Sequence, residues 1–279
     1  MSFSVIQKDI DAYQSEGYAI LPQVLNKTDL EMLRLECAYF VGFTDSWLIE
    51  KGISVLGITH LGKRYFISNR YRFSETLHTF LFGSLMRKIT TAFLGPNVYL
   101  FNEQWVVKGA KEGMQFAWHQ DSGYVKFRDP TTKHNPYLTC WIALDDMSAE
   151  NGTISVMPHS TLKTQARIID HQVQEGTNDL VGYDGEERGI QIDVPAGSIA
   201  VFSSTNLHRS NANYTDNPRR AYLAQYTAAP IYTQEGKLWA QAVPFVKDGE
   251  CVYDVDADLK EVREKKKQKQ RIDFPRKAR

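Results

Sequence analysis

His119-Gln120-Asp121 and, well downstream, His208 are the residues of this chain whose types and spacing could do chemistry. Two imidazoles and one carboxylate form the facial set that holds a non-haem Fe(II) ion and leaves coordination positions open for O2 and a chelating co-substrate. Residues i and i+2 of an extended segment point to the same side, so His119 and Asp121 can face one ion. Arg219 lies 11 residues past His208, and a guanidinium pairs bidentately with a carboxylate, as the distal end of a dicarboxylic 2-oxo acid would require. Ser210 can add a hydroxyl bond to the same carboxylate, whereas Arg220, one step along an extended strand, points the other way. Zinc hydrolysis uses the same donor types. No H-E-x-x-H pattern or clear general base accompanies the triad, so iron is the better fit.

These side chains need a frame. The first hundred residues read as mainly helical, with a short helix over 10–16, a strand over 18–21, a helix from a Thr28/Glu31 capping box to about 43, and another over 74–94 stopped by Gly95-Pro96. From Val98 onward short β-rich runs follow one another at 99–108, 137–144, 152–157, 190–194, 198–203 and 221–227. Many short antiparallel strands make a sandwich or barrel. The expected architecture is therefore mainly β with flanking helices, a helical N-terminal layer over a β-sandwich. The polar, glycine-containing stretch 162–188 reads as a surface excursion that can act as a lid.

The chain has 279 residues, 42% of them hydrophobic, and a formal net charge of zero. One domain over 1–258 is expected, followed by a basic tail, 259–279, with ten Lys/Arg against three Asp/Glu. The overall neutrality gives no reason to expect nucleic acid or an anionic membrane as partner, and a charged tail is ordinarily solvated. The three cysteines, Cys37, Cys140 and Cys251, form no CxxC pair, which points to a reducing compartment. With no secretory n- and h-region and no long apolar run, a cytoplasmic protein without membrane spans is expected. Oligomeric state is not readable at this level.

Several ordered motifs carry a family resemblance. Gly17-Tyr18-Ala19-Ile20-Leu21-Pro22, Trp118-His119-Gln120-Asp121, Thr139-Cys140-Trp141-Ile142-Ala143-Leu144-Asp145-Asp146, Glu150-Asn151-Gly152-Thr153 with Met157-Pro158-His159-Ser160, and His208-Arg209-Ser210 with Asn217-Pro218-Arg219-Arg220-Ala221 together resemble the phytanoyl-CoA dioxygenase family of Fe(II)- and 2-oxoglutarate-dependent oxygenases, over about residues 10–230. The resemblance implies a double-stranded β-helix, a jelly-roll or cupin-like core braced by the N-terminal helices. It implies iron on His119, Asp121 and His208, and 2-oxoglutarate on Arg219 and Ser210 with Lys108 and Thr139 near it. The implied reaction oxidises an unactivated C–H bond of a small molecule and releases succinate and CO2. His159 stands where the family's turn glycine is usual, which makes it a poor ligand candidate. Asp121 disfavours the related halogenating chemistry, which needs a small residue there.

Asn102, Gln104, Trp118, Tyr124 and Trp141 flank the ligands or lie on strands expected to face the interior, and are the candidate substrate-lining residues; each could equally be core packing. The segment His119–Val125 resembles members that hydroxylate small aminophosphonates, and Tyr124 and Trp141 could face a quaternary ammonium through cation–π contact. Two other classes compete: a metal-dependent hydrolase or isomerase on the same β fold, and a non-catalytic binding protein. The oxygenase requires Arg219 and 2-oxoglutarate, the hydrolase or isomerase does not, and a binding module would tolerate loss of a metal ligand, of which this chain has lost none.

Overall fold

The computed structural model describes residues 3–260, apart from 112, 113, 166 and 178. The N-terminal part comprises α1 (Gln7–Glu16), β1 (Tyr18–Leu21), α2 (Lys27–Glu50), β2 (Val55–Leu56), β3 (Thr59–His60), β4 (Arg64–Ser68), α3 (Glu75–Leu81) and α4 (Ser84–Leu94). The central part runs through β5 (Val98–Lys108), β6 (Phe116–His119), α5 (Asp121–Arg128), β7 (Leu138–Ala143), β8 (Ile154–Met157) and α6 (His159–Leu162). Then come β9 (Gln172–Val173), β10 (Leu180–Val181), β11 (Ile190–Gln191), β12 (Ile199–Ser203), β13 (Leu207–Ser210), β14 (Arg219–Thr227), β15 (Val243–Lys247) and β16 (Glu250–Cys251).

Two antiparallel sheets face each other. The larger runs β1-β12-β7-β14-β5-β4-β3-β2, with β15 and β16 attached at β5, and the smaller runs β11-β8-β13-β6. This is the expected jelly roll. Strand alternation divides its side chains between two cores. On β14, Tyr222, Ala224 and Tyr226 join Trp105, Val107, Cys140 and Ile142 beneath the helices. Ala221 and Leu223, with Val106, Trp141, Ala200 and Phe202, fill the space between the sheets. Positions 219 and 225 share the parity of 221 and 223, which is how the sheet aims them at the site.

Three expectations are corrected. The cap of α2 is Asn26, whose side chain accepts from Asp29 N at 2.8 Å while its Nδ2 donates to the Asp29 carboxylate at 2.8 Å; Thr28 lies inside the helix, which runs on to Glu50. The helix expected over 74–94 is two, because Gly83 presses so close to the Thr79 carbonyl that a Cβ would sit 2.5 Å from it. The strands β2, β3 and β4 occupy a region read as mainly helical. No helix among the described residues is long and apolar enough to cross a membrane. The tail lies outside the described residues from 261 onward, while Asp258, bound by Arg72 and Tyr71, is tied into the fold.

Candidate active site

His119 ends β6 and His208 sits on β13, directly paired across the smaller sheet. Asp121 opens α5, with Gln120 extended before it. The aspartate thus reaches the histidines from the first turn of a helix rather than from a continuing strand, and the helix N-terminus favours its negative charge. One donor atom from each of His119, Asp121 and His208 falls within 4.8 Å of the others. His208 Nε2 stands 3.7 Å from Asp121 Oδ1. His119 Nδ1 is 2.8 Å from the Ala117 carbonyl, which assigns the proton to Nδ1 and leaves Nε2 as donor to a metal. Burial and the neighbouring His208 push the His119 pKa down, the direction that keeps an imidazole neutral for ligation.

Behind the triad stands a polar shelf. Thr139 Oγ1 donates to Asp121 Oδ2 at 2.6 Å and Gln225 Nε2 donates to the same oxygen at 2.9 Å. Asn102 Nδ2 in turn donates to Gln225 Oε1 at 3.1 Å. One carboxylate oxygen is fixed by the protein, and Oδ1 remains turned toward His208. Thr139, expected beside the co-substrate, therefore belongs to the carboxylate's support. Gln225 was absent from the expected set, although counting alternate residues from Arg219 along its strand reaches it.

Gln120 is fully buried. Its backbone N–H donates to His171 Nε2 at 2.9 Å, its Oε1 accepts from Ile169 N, and its Nε2 donates to the carbonyls of Arg167 and Thr205. His171 Nδ1 then donates to the Ile169 carbonyl at 3.0 Å. A Cβ on Gly123 would lie 2.1 Å from this imidazole, and one on Gly182 2.6 Å from it. Burial pushes the His171 pKa down to about 4. The stretch 162–188, read as a surface excursion, is thus docked at its middle, with His171, Asp179 and Leu180 buried. Its Asp179 makes a buried bidentate pair with Arg64, at 2.8 and 3.0 Å.

Arg64, Lys108 and Arg219 occupy one register row across β4, β5 and β14. All three are at most 1% exposed, so their charges must be answered or removed. Asp179 answers Arg64. Burial, with Arg219 and Arg64 nearby, pushes the Lys108 pKa down to about 5, so this lysine is neutral near pH 7 and bonds to the Asn211 carbonyl. Arg219 donates to the Gly152 carbonyl at 2.9 Å, yet its Nε and Nη1 have no partner among the described residues. Burial lowers its pKa only to about 10. A buried cation with two unmet donors is the complement of a carboxylate. Arg220 points the other way and pairs with Asp145, as alternation requires.

A cavity of about 510 Å³ joins these groups, lined by His119, Asp121, His208, Arg219 and Ser210. Asn102, Gln104, Tyr124 and Trp141 also line it. Lys108 and Thr139 do not. Trp118 is buried elsewhere, against Met157 and Leu207, and leaves the candidate set. His159 packs against Gly17 and bonds Thr164, away from the triad. Wall residues not anticipated include Phe101, Tyr137, Trp239 and Arg128, the last with its guanidinium 5.9 Å from the Trp239 ring centre.

Comparison with known proteins agrees with this geometry. The family model described as phytanoyl-CoA dioxygenase (PhyH) matches residues 13–221. The chain is 23% identical over 231 residues to a methylphosphonate hydroxylase of Gimesia maris, covering 82% of this chain and 83% of that one. It is 23% identical to the L-proline trans-4-hydroxylase of Streptomyces griseoviridis, covering 88% and 94%. A probable alpha-ketoglutarate-dependent hypophosphite dioxygenase of Stutzerimonas stutzeri is 26% identical over 175 residues, 60% of this chain, and the match spans 58% of that relative's length. Among solved structures, EvdO2 from Micromonospora carbonacea var. aurantiaca complexed with 2-oxoglutarate superposes with a TM-score of 0.63 at 20% identity, covering 85% of this chain and 96% of that one. EctD from S. alaskensis gives 0.63 at 16%, covering 88% and 86%. The chain belongs to the phytanoyl-CoA dioxygenase family, within the non-haem Fe(II)- and 2-oxoglutarate-dependent oxygenases.

Proposed function

We propose that the protein hydroxylates a C–H bond of a small molecule, with Fe(II) on His119, Asp121 and His208 and 2-oxoglutarate clamped by Arg219 and Ser210. The observation that carries this reading is the buried Arg219 guanidinium with two unpartnered donors in the same cavity as the triad. A hydrolytic metal site that binds only water and substrate has no use for that cation. When bound, iron and 2-oxoglutarate supply oxidation by O2 coupled to decarboxylation to succinate and CO2.

The chain's own residues then have definite tasks. His119 and His208 present imidazole nitrogens, and Asp121 presents Oδ1 while Thr139 and Gln225 hold Oδ2 still. Gln120 and His171 fix the backbone between His119 and Asp121. Arg219 and Ser210 orient the distal carboxylate, so the other end of the co-substrate points toward the triad. Gln104, Tyr124 and Trp141 form substrate-facing wall, and the aromatic side chains exclude water. Arg128 offers a cation to an anionic substrate. A small phosphonate, including an aminophosphonate, is the substrate class we favour, supported by the Arg128 cation on the wall and by the methylphosphonate hydroxylase among the relatives.

The test is succinate release by anaerobically iron-loaded protein exposed to O2 with 2-oxoglutarate and a panel of phosphonates, amino acids and acyl compounds. Succinate that rises with one compound, matched by a hydroxylated product, supports the proposal. Iron-loaded protein that binds no 2-oxoglutarate overturns it.

A further inference from the structure

Helix α2 carries apolar side chains on two faces. Leu33, Cys37, Phe40 and Leu48 are buried beneath it, while Leu35, Tyr39, Phe43 and Trp47 point outward, 72%, 63%, 53% and 37% exposed. A helix apolar on both sides is ordinarily covered on both sides. The outward four recur at every fourth position and form one ridge about 18 Å long. Beside it runs a second row at the same spacing, Ala38, Gly42 and Ser46, all exposed. Glycine is among the least favourable residues in a helix interior. Yet a Cβ at Gly42 would meet nothing within 4 Å, so no contact among the described residues requires it.

A ridge and a groove of the same inclination on one helix are self-complementary. The ridge of one copy fits the groove of another when the helices cross near −50°. If the crossing lies at Gly42, a two-fold axis there makes the contact isologous: each copy contributes both ridge and groove.

We infer that the outward face of α2 is a self-association surface and that its occupant is a second copy of this chain. The exposed parts of Leu35, Tyr39, Phe43, Trp47 and the 66% exposed Ile49 amount to on the order of 500 Å², since a large aromatic buries about 150–250 Å² when fully covered. That is already at the upper end for an apolar patch on a monomer, roughly 300–600 Å². The flanking Ala38, Gly42 and Ser46 enlarge it toward the roughly 800 Å² per partner of a stable pair. The basic segment 261–279 has only Val262, Ile272 and Phe274 as large apolar side chains, too few to cover this ridge. Beyond its C-terminal end the helix leads into β2 and β3, where Leu56 and Thr59 line the cavity, so the surface adjoins the rim of the site.

The experiment is sedimentation equilibrium of the full chain with two variants. The wild type is expected at twice 31.9 kDa. Phe43→Glu, which places a charge on the ridge, and Gly42→Leu, which fills the groove, should each raise the dimer dissociation constant about 30-fold or more, as loss of a central contact does. Gly42→Leu improves helix propensity and its Cβ enters open space among the described residues, so its far-UV circular dichroism should match the wild type and exclude misfolding as the cause. A wild type that is monomeric at all concentrations, or a dimer equally tight in both variants, overturns the inference.

Discussion

Gln225 Nε2 donates to Asp121 Oδ2 at 2.9 Å from the facing sheet, on the oxygen that also receives the Thr139 hydroxyl. The carboxylate is therefore held at one oxygen by two donors, and the other is left for a metal. Groups that orient metal ligands typically govern affinity as well as geometry. Gln225→Leu should weaken Fe(II) or Co(II) binding about 10–100-fold with little change in the folded spectrum. Calorimetric titration of the metal-free protein checks this, and unchanged affinity would remove Gln225 from the site.

The two adjacent arginines should separate cleanly. Arg219→Ala removes the buried cation of the cavity and should raise the 2-oxoglutarate concentration needed for half-saturation by about 10–100-fold, the worth of a charge-assisted pair. Arg220→Ala breaks the Asp145 pair on the opposite face and should lower the melting temperature while leaving 2-oxoglutarate binding near wild type. Equilibrium binding of radiolabelled 2-oxoglutarate to both variants decides between them, and the reverse pattern would mean that the wrong arginine has been assigned.

Gly123→Ala puts a methyl group 2.1 Å from the His171 imidazole, which cannot stay bonded to the Gln120 N–H. Overpacking of this kind costs about 1–3 kcal/mol, and here it should also loosen the metal ligands on either side of Gln120. Urea denaturation and metal titration of the same variant should both move. A loss of stability without loss of metal affinity would show that the segment between His119 and Asp121 tolerates the displacement.

Burial depresses the His171 pKa from 6.5 to about 4. Between those values the unfolded chain binds a proton that the native state refuses, so this residue's contribution to stability is present above pH 6.5 and is lost as pH falls toward 4, flattening below it. The loss amounts to about 3 kcal/mol at most. Metal-free wild type should therefore lose more stability between pH 7 and 4 than His171→Gln, compared by urea denaturation. Parallel curves would mean that the fold does not hold the His171 pKa below its unfolded value.

Much of this arrangement is legible in the sequence because strand alternation is a strict rule. Given a strand at β14, Arg219 must face the interior and Arg220 the exterior, and the same count leads to Gln225. The candidate metal ligands are legible by type and order. What the sequence did not reveal depends on contacts between distant segments. Asp121 reaches the site from a helix start, a change of backbone at Gln120 stabilised by His171, Arg167 and Ile169 some fifty residues on. Lys108 shares the Arg219 row but is spent on Asn211, because burial beside two guanidinium groups removes its charge. The break at Gly83 likewise follows from close approach to the Thr79 carbonyl, which no periodicity records.

The measurement that tests the central claim most directly is an anaerobic titration of Fe(II)-loaded protein with 2-oxoglutarate, followed by the visible charge-transfer absorption that a chelated 2-oxo acid gives on ferrous iron. The account predicts a band that saturates in wild type, is absent in Asp121→Ala and requires far more 2-oxoglutarate in Arg219→Ala. Tight iron binding with no band at any 2-oxoglutarate concentration, or a band indifferent to Arg219, would contradict it.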